Sequence, residues 1–193
     1  VLNCNACHGE LEGFTKLDMI GHKLKTEWME SILSGAIKEK PRPWLKQRMP
    51  AFPARAKELA HGLALAHGYP VITPAEARPV DVNMAKIGRD LVGVDGGFSC
   101  VACHGVKNRQ PLQVFEAQGV NFARVNDRLR SDYFLRWMLD PLRVDSQTRM
   151  PDYFDEAARS VLVDVLEGDA KKQIEAIRQY LRQGNDMKMP AMQ

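Results

Sequence analysis

Apolar residues recur along this chain three and four positions apart, the spacing of an amphipathic helix. From Leu17 the series runs through Ile20 and Leu24 to a segment opened by Thr26, with Trp28, Met29, Ile32 and Leu33 on one face and Gly35 behind it. Phe122, Val125 and Leu129 lead in the same way to Ser131, then Tyr133, Phe134, Trp137 and Met138, with Pro141 as the stop. The two series match at a constant offset of 105, the mark of an internal repeat. Thr26 and Ser131 are the expected N-caps, each followed by an acidic residue, Glu27 or Asp132, where the helix dipole favours negative charge. A closing helix is expected in each half, carrying Ala56, Leu59 and Leu63 up to Gly68, and Ile174, Ile177 and Leu181 up to Gly184. Asn83 is placed to cap a shorter helix with Met84, Ile87 and Leu91. The apolar stretch from Val161 to Leu166 has no counterpart in the first half. Pro70, Pro74 and Pro79 punctuate the middle and read as a semi-rigid linker. The expectation is an all-α chain with one domain over 1–69, a Pro-rich linker over 70–81 and a second domain over 82–193.

Composition narrows the class. With 193 residues, 45% of them apolar and 26% charged, the chain can bury a core, which excludes collagen-like and disordered proteins. No apolar run approaches the ~18 residues that span a bilayer. A formal charge of +3 is too balanced to argue for nucleic acid. The basic run Lys38, Lys40, Arg42, Lys46 and Arg48 is one local patch, or simply a solvated loop.

The four cysteines carry the chemistry. They fall into two identical patterns, Cys4-Asn5-Ala6-Cys7-His8 and Cys100-Val101-Ala102-Cys103-His104. Two cysteines separated by two residues and followed at once by histidine form the attachment motif of a c-type haem. Each thiol adds to one vinyl group, and the adjacent histidine lies under the iron as proximal ligand. A Cys4 zinc site, a thioredoxin-like dithiol or two disulfides would each leave both histidines unexplained.

With these motifs the chain resembles a dihaem c-type cytochrome built from two tandem class I cytochrome c domains. The resemblance implies two haem c groups bound by thioethers at Cys4 and Cys7 and at Cys100 and Cys103, with His8 and His104 on the irons. It also implies a sixth ligand, a methionine in an extended loop before the last helix of each domain. Arg48-Met49-Pro50 and Arg149-Met150-Pro151 sit 41 and 46 residues after the respective histidines, so Met49 and Met150 are the expected ligands. Proline after the methionine helps to hold such a loop extended. Met29, Met84 and Met138 read as core fillers, and Met187, Met189 and Met192 as weaker alternatives in the tail. For the first haem, His22, His61 and His67 stay open as ligands, whereas no histidine follows His104. Arg48 and Arg149 could pair with propionates or lie in solvent. Trp28, Trp44, Tyr133, Phe134 and Trp137 read as packing around haem. Class I domains lay an N-terminal helix across the C-terminal one. The helix near Gly88 fits that role in the second half, and the first half has no equivalent ahead of Cys4. Val120 stands where many relatives have proline, which leaves open the backbone partner of the proximal histidine.

The expected activity is one-electron transfer between protein redox partners, as a carrier or as the relay portion of a respiratory or dehydrogenase assembly, without catalytic residues. The alternative is a dihaem enzyme, a peroxidase or sulfur-compound dehydrogenase, with one iron open or differently ligated. Covalent haem attachment points to a periplasmic location, with an export signal or anchor expected ahead of Val1.

Overall fold

The computed structural model describes residues 2–9, 11, 14, 16–40, 46–75, 78–113 and 118–193. These residues form helices, turns and coil, with no β-strand among them and only isolated bridges. The chain is therefore mostly helical, as its periodicity requires. Its backbone divides into two compact units. One takes in Val1–Lys40, Gln47–Ala75 and the short piece Arg128–Arg130, and the other consists mainly of Glu76–Asp127 and Ser131–Gln193.

In the first unit, α1 (Asn5–His8) is a single turn, α2 (Ile20–Lys23) follows a 3-10 turn, and α3 (Thr26–Leu33) and α4 (Ala56–Ala66) are longer. Alanines at 56, 60 and 64 recur at one-turn spacing and are at most 3% exposed, in the same buried cluster as Trp28, Met29 and Leu33. Small residues on one helix leave room for large ones on the other. Burying each of the large side chains contributes about 1.5–3 kcal/mol.

Thr26 does not cap α3 with its own hydroxyl; the helix is capped from the proline-rich segment instead. The Thr26 N–H donates to Thr73 Oγ1 at 3.3 Å, and the Thr73 N–H donates to Glu27 Oε1 at 2.8 Å. The Thr26 hydroxyl donates to the Pro70 carbonyl and accepts from Arg130, whose guanidinium lies 4.2 Å from the Tyr69 ring centre. Burial works against a charged Glu27, but hydrogen bonds from its own backbone and from Thr73, with the Arg130 charge, hold its carboxyl below the usual range. Residues 70–75 thus belong with the first unit. Arg128–Arg130 pairs antiparallel with Lys23–Lys25, through Lys25 N–H to the Arg128 carbonyl at 2.9 Å and Arg130 N–H to the Lys23 carbonyl at 3.1 Å. The central pair, Leu24 and Leu129, are counterparts at the 105-residue offset.

The second unit holds α5 (Val82–Val92), most of α6 (Val125–Arg128), and α7 (Ser131–Leu139), α8 (Pro141–Val144) and α9 (Ala170–Leu181). The cap of α5 is Asp81 rather than Asn83: its carboxylate accepts the N–H groups of Asn83 and Met84, both at 3.0 Å. A carboxylate at that position satisfies two otherwise orphaned donors and complements the dipole. Pro141 stops α7 and opens α8, with Asp140 accepting the Arg143 N–H. Helix α9 is the most deeply buried, with Ile174, Ala176, Ile177 and Tyr180 at 2% exposure or less. The C-terminal tail folds back over it: the Tyr180 hydroxyl donates to the Lys188 carbonyl, and Val94 N–H to that of Ala191. Met187 is buried by this tail.

Candidate functional site

Both cysteine–histidine motifs fold into a single tight turn. In the first, the His8 N–H donates to the Cys4 carbonyl at 2.9 Å, and in the second the His104 N–H donates to that of Cys100 at 3.0 Å. One helical turn brings the first cysteine, the second cysteine and the histidine onto neighbouring positions, so two thiols and an imidazole are presented together. All four thiols are free of disulfides. Burial pushes the Cys100 thiol up to about 12, so it stays protonated at neutral pH and is no thiolate nucleophile.

The second motif is the better defined. His104 Nδ1 lies 2.8 Å from the Val120 carbonyl, which fixes Nδ1 as the protonated nitrogen and leaves Nε2 with its lone pair. Burial holds the His104 pKa below its usual value, only partly offset by that hydrogen bond, so the ring is neutral, the state in which imidazole ligates a metal. The Phe122 ring stacks on it at 4.9 Å and 18°. A backbone carbonyl is available at any residue type, so valine in place of proline costs nothing at this point. Gly119 runs beside the ring, in a parallel bridge with His104. A Cβ there would fall 2.3–2.6 Å from three ring atoms, so the ring sits where only glycine lets the backbone pass. Gly119→Ala must displace the imidazole or the chain, at a cost of about 1–3 kcal/mol from overpacking. Thermal unfolding together with histidine ring NMR checks this, the expected result being a lower midpoint and a shifted His104 environment.

Met150 lies on the coil after α8, half-buried, and its sulfur accepts the Trp137 indole N–H at 2.9 Å. Thioether sulfur has two lone pairs, so this contact leaves one for a metal. Trp137 stacks on Tyr133 one turn earlier on α7, with ring centres 5.9 Å apart. The sequence marked Trp137 as packing; its indole N–H makes it a positioning residue for the methionine as well. Tyr153 packs on Phe98 at 4.9 Å. Burial first, and then the charges of Cys100 and Cys103, raise its pKa.

The first motif is more open. His8 meets Phe14 edge-on at 6.1 Å, and Cys7 is exposed. Met49 lies in coil with 42% of its surface exposed. His67 has its ring nitrogens 2.7 Å from the Leu63 carbonyl and 2.8 Å from that of Asp18, and His22 packs edge-on against it and against Tyr69. Both act structurally in this arrangement. Arg48 and Arg149 are exposed, whereas Arg42 and Trp44 lie outside the described residues.

The donor set fits the group that the motif implies. Among the described residues no three His, Cys, Asp or Glu side chains gather around one point, as a protein-only metal centre would need. A haem brings four nitrogens of its own and asks the chain only for axial ligands and two thiols. His104, with its Nε2 lone pair, and the paired thiols of the second motif meet the motif's share of that demand. No helix of the described residues is long and apolar enough to cross a membrane. Set against family models, curated proteins and solved structures, the chain matches none of them.

Proposed function

We propose that this chain is a one-electron carrier or relay holding two covalently bound c-type haems, each with a histidine and a methionine on the iron, and that it works between protein redox partners on the periplasmic side. The observation that carries this reading is the second motif: two free thiols and His104 on one turn, with the imidazole's Nδ1 held by Val120 and its Nε2 left to ligate. The haem supplies the reversible one-electron change, and a thioether ligand favours its reduced form.

Everything else falls to the chain. Cys4 and Cys7, and Cys100 and Cys103, anchor the groups. His8 and His104 ligate, the latter with ring and tautomer fixed by Val120 and Phe122. Met49 and Met150 supply the sulfurs, and Trp137 positions the second. Phe98, Tyr153 and Phe154 pack around the second motif and exclude water. No general acid, base or nucleophile is needed, and the two halves differ enough to set unequal potentials, about 59 mV giving a tenfold bias in where one electron resides. A dihaem enzyme with one open iron is the second reading, and the observation in its favour is the surface position of Met49.

Mass spectrometry and absorption spectroscopy test the proposal. The expected result is two haems per chain, no titratable thiol and low-spin, six-coordinate spectra in both oxidation states. A reactive thiol or a chain without haem overturns it. Two haems with one high-spin iron selects the enzyme reading.

A further inference from the structure

The apolar run Val161–Leu166 belongs to no helix core. It sits in a loop over residues 152–169, closed by bridges between Phe154 and Ser160 and between Arg159 and Asp169. The loop is held from below, where the Gln173 side-chain amide donates to the Leu162 and Val165 carbonyls at 2.9 and 2.7 Å. Arg159 ties it from the side through the Glu167 carbonyl at 2.6 Å, and Ser160 Oγ accepts the Leu162 N–H. Ala158, Leu166 and Glu167 adopt left-handed backbone angles, a conformation that non-glycine residues hold only where their surroundings impose it.

What this fixed backbone displays is unusual for a protein surface. Val161 is 84% and Val163 59% exposed. The same loop carries six carboxylates, Asp152, Asp155, Glu156, Asp164, Glu167 and Asp169, and one guanidinium, Arg159. Lys172 neutralises Glu167 at 2.6 Å, and Asp169 caps α9. Asp155, Glu156 and Asp164 are exposed on the same loop as the valines, Asp155 also accepting the Arg159 N–H at 2.7 Å. The root of the loop is Tyr153 and Phe154, packed on Phe98, which stands two residues ahead of Cys100. An apolar tip with a mainly acidic fringe, rooted on Phe98 just ahead of the second cysteine–histidine motif, is a docking surface in form.

We propose that Val161 and Val163, with the fringe of Asp155, Glu156 and Asp164, dock a redox protein that presents basic side chains around an apolar patch. The proposal rests on the electron-transfer reading. Charge complementarity selects this occupant, because the same carboxylates would be repelled by an anionic bilayer or by an acidic partner.

The test uses the full haem-loaded chain, with haem content measured first, and three small redox probes. Reduced protein gives one electron to tris(phenanthroline)cobalt(III), a trication with apolar faces that becomes cobalt(II), or to ferricyanide, an anion that becomes ferrocyanide. Oxidised protein takes one electron from hexaammineruthenium(II), a dication without apolar faces. The triple variant D155N/E156Q/D164N should slow both cations about tenfold at about 10 mM salt and hardly at all at about 0.5 M, while ferricyanide speeds up. The double variant V161S/V163S should slow only the phenanthroline complex, by about threefold. Unchanged rates with the cations, or all probes moving together, overturn the proposal while leaving the haem reading intact. Valine-dependent co-sedimentation with phosphatidylglycerol vesicles overturns it in favour of a lipid surface. A chain without haem removes the electron-transfer reading instead; the patch is then read by hexaamminechromium(III) broadening of amide signals. Broadening centred on residues 155–164 supports an acidic docking surface, and none there overturns it.

Discussion

With the haem proposed for the second motif in place, reduced Met150→Ala protein will bind carbon monoxide there, whereas the unmodified protein will not. Met150 is the sulfur ligand proposed for the second haem, with Met189 and Met192 of the tail as the weaker alternatives. No histidine follows His104, Met138 is 5% exposed within α7, and Met187 is 1% exposed beneath the tail. Removing the Met150 sulfur would take away the ligand proposed for that haem together with the acceptor of the Trp137 indole N–H at 2.9 Å. The stability cost should stay near or below the lower end of the usual range for buried methionine truncation, about 2 kcal/mol, because Met150 is only half-buried. The change in ligand binding should be nearly complete, from no carbon monoxide complex to one per chain. Trp137→Phe keeps the sulfur and should keep the iron closed, which separates loss of the ligand from loss of its positioning residue. With the haem proposed for the first motif in place, the same substitution at Met49 should also open its iron. His67 has both nitrogens against backbone carbonyls and His22 packs on it, so among the alternative histidines only His61 stands ready to replace the sulfur. Weak carbon monoxide binding by Met49→Ala that becomes strong in Met49→Ala/His61→Ala would identify that replacement. Strong binding by the unmodified protein would overturn the two-methionine assignment.

What the sequence disclosed and what it withheld divide along a physical line. Helix positions were legible because they depend on periodicity: α3, α4, α5, α7 and α9 lie where the apolar spacing puts them, and Gly35, Gly68 and Gly184 end helices with left-handed angles. The cysteine–histidine turns were legible because their chemistry is local to five residues. The helix caps were less so. Asp81 and Asn83 both cap well by propensity, and the choice between them depends on where α5 begins. Thr26 would cap α3 in isolation, but Thr73, Pro70 and Arg130 claim its N–H and hydroxyl from 44 to 104 residues away. The proline-rich stretch looked like a spacer because nothing in its composition reports that Thr73 will dock on a helix end. The offset of 105 was visible as a repeat, but not that Leu24 and Leu129 would face each other across a backbone pair. The bond from Trp137 to Met150 was beyond reach for the same reason, since helix spacing places the indole on a face without saying which atom its N–H will meet.

Gly88→Ala will destabilise the second unit by about 2–3 kcal/mol, and Gly62→Ala will stabilise the first. Both glycines lie inside 11-residue helices, α5 and α4, where alanine is intrinsically better by about 0.8–1 kcal/mol. The surroundings decide the sign. A Cβ at position 88 would stand 2.0 Å from the Ala176 carbonyl oxygen, 2.4 Å from its carbon and 2.8 Å from the Ile177 nitrogen. These are backbone atoms of α9, which cannot rotate aside as a side chain can. Helix α5 would have to move away from α9, loosening the contacts of Ala85, Leu91, Ile174 and Ile177, each at most 2% exposed. Overpacking of this kind typically costs 1–3 kcal/mol, and the absence of a yielding neighbour puts it at or above the upper end before the propensity gain is subtracted. At position 62 nothing lies within 4 Å of the added carbon, so only the propensity gain remains. For a unit of this size the expected shifts are a fall of roughly 10 °C for Gly88→Ala and a rise of a few degrees for Gly62→Ala. Circular dichroism gives the midpoints, and amide exchange across α5 and α9, or across α4, assigns each shift to its helices. A neutral or stabilising Gly88→Ala would mean that the two helices do not cross in backbone contact at this residue.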